Sequence, residues 1–227
     1  METQMAVAND KVARRWSSGK RSQRVYNYTI RRPVLFRLMS RIVWGADVRP
    51  LYADIAALAD LAAGTRVLDV PCGGGVAFRG IEGTAGIRFV AADISPFMLD
   101  TARAEAARRG LSDIEYVQTD VARMPFADSS FDVCVSYNGL HCFPDPAAAV
   151  QEMARVLRVG GELRGTVVVT GGSALSAAAI AKFQRTDQFA TVGSAEDLRE
   201  CLTGAGFVDL RLDRQGAYVV FHALKSG

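Results

Sequence analysis

Val67-Leu-Asp-Val-Pro-Cys-Gly-Gly-Gly75 decides how this chain is read. Its apolar start, within Arg66-Val-Leu-Asp-Val70, is the length and composition of a short buried strand. The strand delivers an acid, Asp69, and the chain then bends at Gly73 to Gly75 into a segment expected to be a short helix to about Glu82. Glycine suits such a bend because the backbone must take conformations closed to other residues and admit a ligand closely. A helix start offers free N–H groups and the positive end of its dipole. In open α/β sheets, ligands bind beyond the carboxyl ends of the strands.

Downstream the chain alternates. Strands are expected at Ile87–Ala92, Ile114–Gln118, Phe131–Ser136 and Glu162–Val169. Helices are expected at Pro96–Arg109, closed by Gly110, and Pro146–Val159, closed by Gly160-Gly161. Such alternation implies right-handed βαβ units and a parallel sheet. The end of the chain breaks the rhythm: a helix at Ala195–Thr203, a strand at Phe207–Asp213, a turn at Arg214-Gln215-Gly216 and a strand at Ala217–Leu224. Two strands joined so tightly are antiparallel. Upstream, Pro33 opens an amphipathic helix at Val34–Trp44, and a second helix covers Leu51–Ala62 with Gly64 as its stop.

Two further acids follow expected strands. Asp93 lies 20 residues after Gly73, where a carboxylate can accept hydrogen bonds from both ribose hydroxyls of a nucleoside, and Asp120 follows the third strand, within reach of an adenine amine. Each alone reads equally as a turn or cap residue. Three acids on successive strand tips, with the glycine bend after the first, point to a nucleoside site.

The sequence resembles the class I methyltransferases that use S-adenosylmethionine, within the broad group that includes the ubiquinone and menaquinone C-methyltransferases. The resemblance rests on Val67 to Gly75, Ala91-Ala-Asp-Ile-Ser-Pro-Phe-Met-Leu-Asp100, Thr119-Asp-Val-Ala-Arg-Met-Pro-Phe126, Phe131 to Pro146 and Glu152-Met-Ala-Arg-Val-Leu-Arg-Val-Gly-Gly161, and covers about residues 50–224. It implies an α/β fold: a Rossmann-like, seven-stranded, mostly parallel sheet with helices on both faces and a C-terminal antiparallel hairpin. It also implies a methyltransferase domain over 49–227, preceded by an arm or lid over 1–48 and interrupted by a lid insertion at 171–192. By the same resemblance Asp69, Gly73 and Gly75 would line the methionine end of the cofactor. Asp93 would hold the ribose, with Ile94 and Met98 against the adenine, and Asp120 and Val121 would meet the adenine edge. Ser136 and Asn138 would lie near the sulfonium. Pro71 stands where the family usually has glycine, which raises the expectation of a differently seated loop.

His141, in Asn138-Gly-Leu-His-Cys-Phe-Pro144, is the titratable residue placed to orient or deprotonate a methyl acceptor; its plainer reading is a loop histidine with no catalytic duty. Tyr26, Tyr28 and Tyr137 are candidate acceptor contacts, and His222 reads as structural. The acceptor is expected to be a small molecule, with quinones or phenols, sugars and lipids all open. A cofactor-binding protein without turnover remains the alternative. A nicotinamide-dependent oxidoreductase is weaker, because Gly73-Gly-Gly-Val-Ala-Phe78 lacks the last glycine of its fingerprint. Nucleic acid is not an expected partner: Gly139-Leu140, not a proline pair, follows Asn138.

The net charge of +3 conceals an asymmetry. Lys11 to Arg49 carries eleven basic residues against one acid, Asp47, while the rest carries 16 basic and 23 acidic. This segment is expected to be a solvated helical arm or to contact an anionic substrate or a membrane surface, and Val34–Trp44, apolar on one face, either to pack on the core or to lie at an interface. The start of the chain shows no basic region leading into an apolar run, and four cysteines without a CxxC pair, beside two histidines, give a metal site few ligands. A cytoplasmic, reducing location with free thiols is expected.

Overall fold

The computed structural model describes residues 11–16, 20–84, 86–190 and 192–227. Seven strands form one sheet: β1 (Arg66–Asp69), β2 (Arg88–Asp93), β3 (Ile114–Gln118), β4 (Phe131–Tyr137), β5 (Leu157–Val168), β6 (Phe207–Gln215) and β7 (Tyr218–Lys225). Their order is β3-β2-β1-β4-β5-β7-β6, parallel from β3 through β5, with β7 antiparallel to both β5 and β6. This is the sheet and terminal hairpin expected. The strand order reverses at β1, so that β1 and β4 part beyond their carboxyl ends and leave a crevice there.

Helices cover both faces. Alternate residues of β1 choose the side: Leu68 packs toward α5 (Pro146–Val156) and α7 (Ala195–Gly204), Val67 toward α3 (Arg49–Ala56) and α4 (Pro96–Arg109). Complete burial of a side chain such as Leu68 contributes roughly 1.5–3 kcal/mol. Ser95 caps α4 by accepting the Met98 N–H, Pro96 opens it, and Gly110 ends it in the left-handed region. Before the sheet lie α1 (Lys20–Ile30) and α2 (Pro33–Val43), and after β5 comes α6 (Ala174–Arg185).

Several expected boundaries differ. The helix expected over Leu51–Ala62 runs only to Ala56 and tightens into a 3-10 turn, Ala57–Asp60, with Leu58 buried. The segment after Gly75 is only a 3-10 turn, Val76–Gly80, because Gly80 lies so close to the Ile55 carbonyl that a Cβ there would stand 1.7 Å from it. The helix expected to Val159 stops at Val156, since Leu157 pairs with Phe131 and the chain passes straight into β5. The hairpin turn falls on residues 216–217, one step later than expected.

A charged cluster ties α3 to the last strand. Tyr137 donates to Asp54 Oδ2 at 2.6 Å, and His222 bridges Asp54 Oδ1 at 2.8 Å and Glu162 Oε1 at 3.0 Å. His222 is structural, as expected, and the two carboxylates, Asp54 first, raise its pKa from 6.5 to about 9. A raised folded-state pKa contributes stability that is complete below the unfolded value and fades as pH climbs through the folded one. The melting-temperature advantage of wild type over His222→Gln is therefore expected to be largest near about pH 6 and to shrink as pH passes about 9, as checked by thermal denaturation across that range.

Candidate cofactor and acceptor site

Beyond the carboxyl ends of β1, β2 and β4 lies a cavity of about 480 Å³. Its floor is the glycine loop. Gly73 and Gly75 both take positive φ, 50° and 79°, and the Gly73 N–H donates to Asp93 Oδ2 at 2.9 Å. Pro71 does not break the ladder. The N–H groups on either side still bond, Val70 to the Val135 carbonyl and Cys72 to the Ala92 carbonyl. The missing proline donor therefore falls where none is needed.

Two acids sit at this edge almost without solvent, Asp69 at 1 % and Asp93 at 5 % exposure. Burial raises both pKa values. Asp93 reaches about 6 despite N–H bonds from Ser95 and Gly73; Asp69, which Asp93 also repels, goes well above the usual range. Asp69 Oδ2 has no hydrogen-bond partner, and neither has Asn27 Oδ1, also buried. Unanswered acceptors in a dry site call for donors from a ligand.

Of the residues expected to form the site, Gly73, Asp93, Ile94, Met98, Asp120, Val121, Asn138, His141, Tyr26 and Tyr137 line this one cavity. Asp69, Gly75 and Ser136 stand behind its wall, the first and last buried. Tyr28 does not join them: it is 57 % exposed and its ring is covered by Arg32, 3.7 Å from the ring centre. Tyr137 faces the cavity with its hydroxyl already given to Asp54.

His141 is 5 % exposed, and desolvation lowers its pKa to about 3, so the ring is neutral. Its Nδ1 accepts the Val168 N–H at 3.2 Å. The ring proton therefore resides on Nε2, which makes His141 a hydrogen-bond donor there. Asn138, at φ 58°, accepts from Tyr218 at 2.7 Å and donates to Tyr26 at 3.4 Å.

The arm supplies residues for which the sequence offered no motif. Gln23 accepts from Ser95 Oγ, Asn27 donates to the Met98 sulfur, and Arg31 donates to the Gly74 carbonyl and pairs with Glu105. Gln23 and Asn27 on α1 and Arg31 just after it recur every four residues, a polar stripe facing inward that could have been found by its spacing. Gly74 admits them: a Cβ there would stand 2.4 Å from Asn27 Oδ1. On the far side Trp44, Phe183 and Phe189 gather, with Phe189 stacked near Trp44 at 6.2 Å and 4.4 Å from the His141 ring. Trp16 closes the arm onto the insertion by donating to the Gln188 carbonyl at 2.9 Å.

Residues 68–164 match the model of a methyltransferase domain family. Over this stretch the chain is similar to class I S-adenosylmethionine-dependent methyltransferases. Over 157 residues it is 30 % identical to the O-methyltransferase resE of Aspergillus sclerotiorum, covering 68 % of this chain and 59 % of that one. Over 104 residues it is 40 % identical to the ubiquinone/menaquinone biosynthesis C-methyltransferase UbiE of Bdellovibrio bacteriovorus, covering 44 % and 43 %. The match thus spans less than two thirds of either relative. The fold is shared with the Haemonchus contortus phosphoethanolamine N-methyltransferase 2 solved with S-adenosyl-L-methionine, at a TM-score of 0.68 and 16 % identity over 79 % of this chain and 53 % of that one. The donor set suits this cofactor: buried carboxylates for its hydroxyls and cationic end, and Ile94, Met98 and Val121 as apolar surfaces for its base.

To accept from two ribose hydroxyls Asp93 would have to be ionised, and burial raises its pKa to about 6. Cofactor affinity measured by calorimetry is expected to hold steady above neutrality and to fall as the pH drops from about 7 to about 5. Asp93→Asn should weaken binding about 10- to 100-fold and remove most of that pH dependence.

Proposed function

We propose that the protein methylates a small, largely apolar acceptor with a planar ring, of the quinone or phenol kind, held in the aromatic end of the cavity. The observation that carries this reading is the composition of that end. Phe36, Val43, Trp44, Phe183 and Phe189 surround it, and its polar groups are His141, Asn138, Tyr26, Tyr218, Ser40 and Gln188. A sugar would leave most of its hydroxyls facing hydrocarbon, at a cost of 1–3 kcal/mol for each unmade hydrogen bond. A flat ring instead finds offset-stacking partners.

When bound, the cofactor supplies an electrophilic methyl group, and the displacement needs alignment more than acid–base power. Asp93 would hold the ribose, Ile94 and Met98 the adenine face, and Asp120 and Val121 its edge, with Asp69, Gly73 and Gly75 shaping the methionine end and Ser136 supporting the wall beside Asn138. His141 would orient the acceptor by donating from Nε2. Base catalysis is the weaker role, because the one lone pair of the neutral ring is already given to Val168. Asn138 would fix the Tyr26 and Tyr218 hydroxyls, and Tyr137 would contribute wall. Tyr28 has no part in this arrangement. The arm expected over 1–48 and the insertion expected over 171–192 lie partly outside the described residues; their described parts act as the cover, clasped through Trp16 and Gln188, and exclude water from the reacting atoms.

Transfer of a radiolabelled methyl group to a panel of quinols, phenols and sugars is expected to label ring acceptors. Labelling of sugars alone, or tight cofactor binding with no labelled product, would overturn the proposal. His141→Gln, which keeps a donor, should retain activity within about tenfold, while His141→Ala should raise KM more than it lowers kcat, as steady-state kinetics with the labelled acceptor will show. A loss confined to kcat, together with a new pH dependence, would restore the histidine as a base.

A further inference from the structure

The α2 helix divides its surface in an unusual way. Ser40 is buried and Phe36, Val43 and Trp44 turn toward the cavity. Val34, Leu38 and Ile42, at steps of four, form an outward stripe with exposures of 84, 57 and 59 %. A helix of a soluble domain normally shows water its polar side. Beside the stripe run Arg37 and Arg41, one turn apart, and with Arg49 these three cations share a single carboxylate, Asp47. The border of the apolar stripe is therefore positively charged.

Two more residues connect this face to the cavity. Val25 of α1 and Met39 of α2 are both strongly exposed and both line the cavity. Its mouth therefore opens on the same face, between the two arm helices. The far end of α2 is fixed. The Trp44 carbonyl accepts the Ala217 N–H at 2.8 Å, and Asp47 N–H donates to Gln215 Oε1 at 3.1 Å, so the hairpin turn holds the helix in place.

We infer that the Val34–Leu38–Ile42 stripe with its arginine border docks the protein on an anionic lipid surface, and that the acceptor enters the cavity from that surface. The second clause rests on the methyltransferase reading; the first does not. An apolar stripe sinks into the acyl boundary while arginines beside it meet lipid phosphates, and the combination selects anionic over neutral bilayers. A second copy of the chain fits less well, because a two-fold contact would bring the arginine cluster against itself. An acceptor dissolved in the bilayer would meet the mouth without crossing water. Among the described residues no helix is long and apolar enough to cross a membrane, so the contact is with the surface.

Vesicle flotation of the full chain tests this, with phosphatidylcholine alone and with phosphatidylcholine containing phosphatidylglycerol. Wild type is expected to float only with the anionic vesicles and to be released by high salt. Val34→Ser/Leu38→Ser/Ile42→Ser, all on the exposed stripe, should lower binding at least tenfold while calorimetric affinity for S-adenosylmethionine stays unchanged. Arg37→Gln/Arg41→Gln should weaken binding and reduce its salt dependence. Wild type that fails to float with anionic vesicles, or a serine variant that floats equally well, would overturn the inference. A dimer that the serine variant dissociates in sedimentation velocity would also overturn it, by giving the face to a second copy. Flotation without cofactor affinity would leave docking standing and sink the methyltransferase reading; cofactor affinity without flotation would do the opposite.

Discussion

Asp69 and Asp93 sit in nearly dry protein at the carboxyl ends of adjacent strands, and charge in such a place must be answered. The fold answers only part of it. Two backbone N–H groups, from Gly73 and Ser95, each reach one oxygen of Asp93, while Asp69 keeps an oxygen with no partner. The Gly73 bond also sets the glycine loop, because the residue donating to Asp93 is the one that must turn through positive φ. Loop shape and acid placement are thus one constraint. A ligand with hydroxyls at Asp93, which lines the cavity, would relieve part of it, and this supports placing the cofactor at this edge of the sheet.

The proposed cover would follow from the same constraint. The arm reaches the loop through Gln23, Asn27 and Arg31, and approaches so closely that Gly74 has no room for a side chain. The insertion arrives from the opposite side, and the two meet through Trp16 and Gln188 and through the ring cluster of Trp44, Phe183 and Phe189. The terminal hairpin, which reads as a mere topological mark in the sequence, has a mechanical part as well. Its turn anchors the end of α2, and Gly216 is packed so tightly that a Cβ there would stand 2.2 Å from the Trp44 carbonyl.

The strands were legible because short apolar runs bounded by glycines and aspartates leave few other choices, and Pro96 and Gly110 marked both ends of α4. The glycine bend and Asp93 were legible because their spacing reflects a local strand–turn–helix geometry. What tertiary contact decides was not legible. Nothing within the segment after Gly75 says that the Ile55 carbonyl presses on Gly80, and nothing near Leu157 says that Phe131 will claim it for the sheet. His141 could be located in its loop, but not its tautomer, which is set by the Val168 N–H 27 residues away. The aromatic wall was hidden for the same reason: Trp44, Phe183 and Phe189 stand on an arm and an insertion that no local pattern brings together.

An exposed apolar helix face is costly in water, and the cavity behind it carries exposed apolar lining on the same arm. Val25 and Met39 belong to both the exposed surface and the cavity lining, so the two features adjoin there. A water-soluble acceptor would gain nothing from an approach rimmed by valine and methionine, and would be stripped of its hydration on entry. For an acceptor already in an apolar phase that approach would avoid the aqueous step, and the arginines beside it would orient the opening toward an anionic surface. The same helix then serves twice, its inner face shaping the pocket and its outer face choosing where the pocket opens.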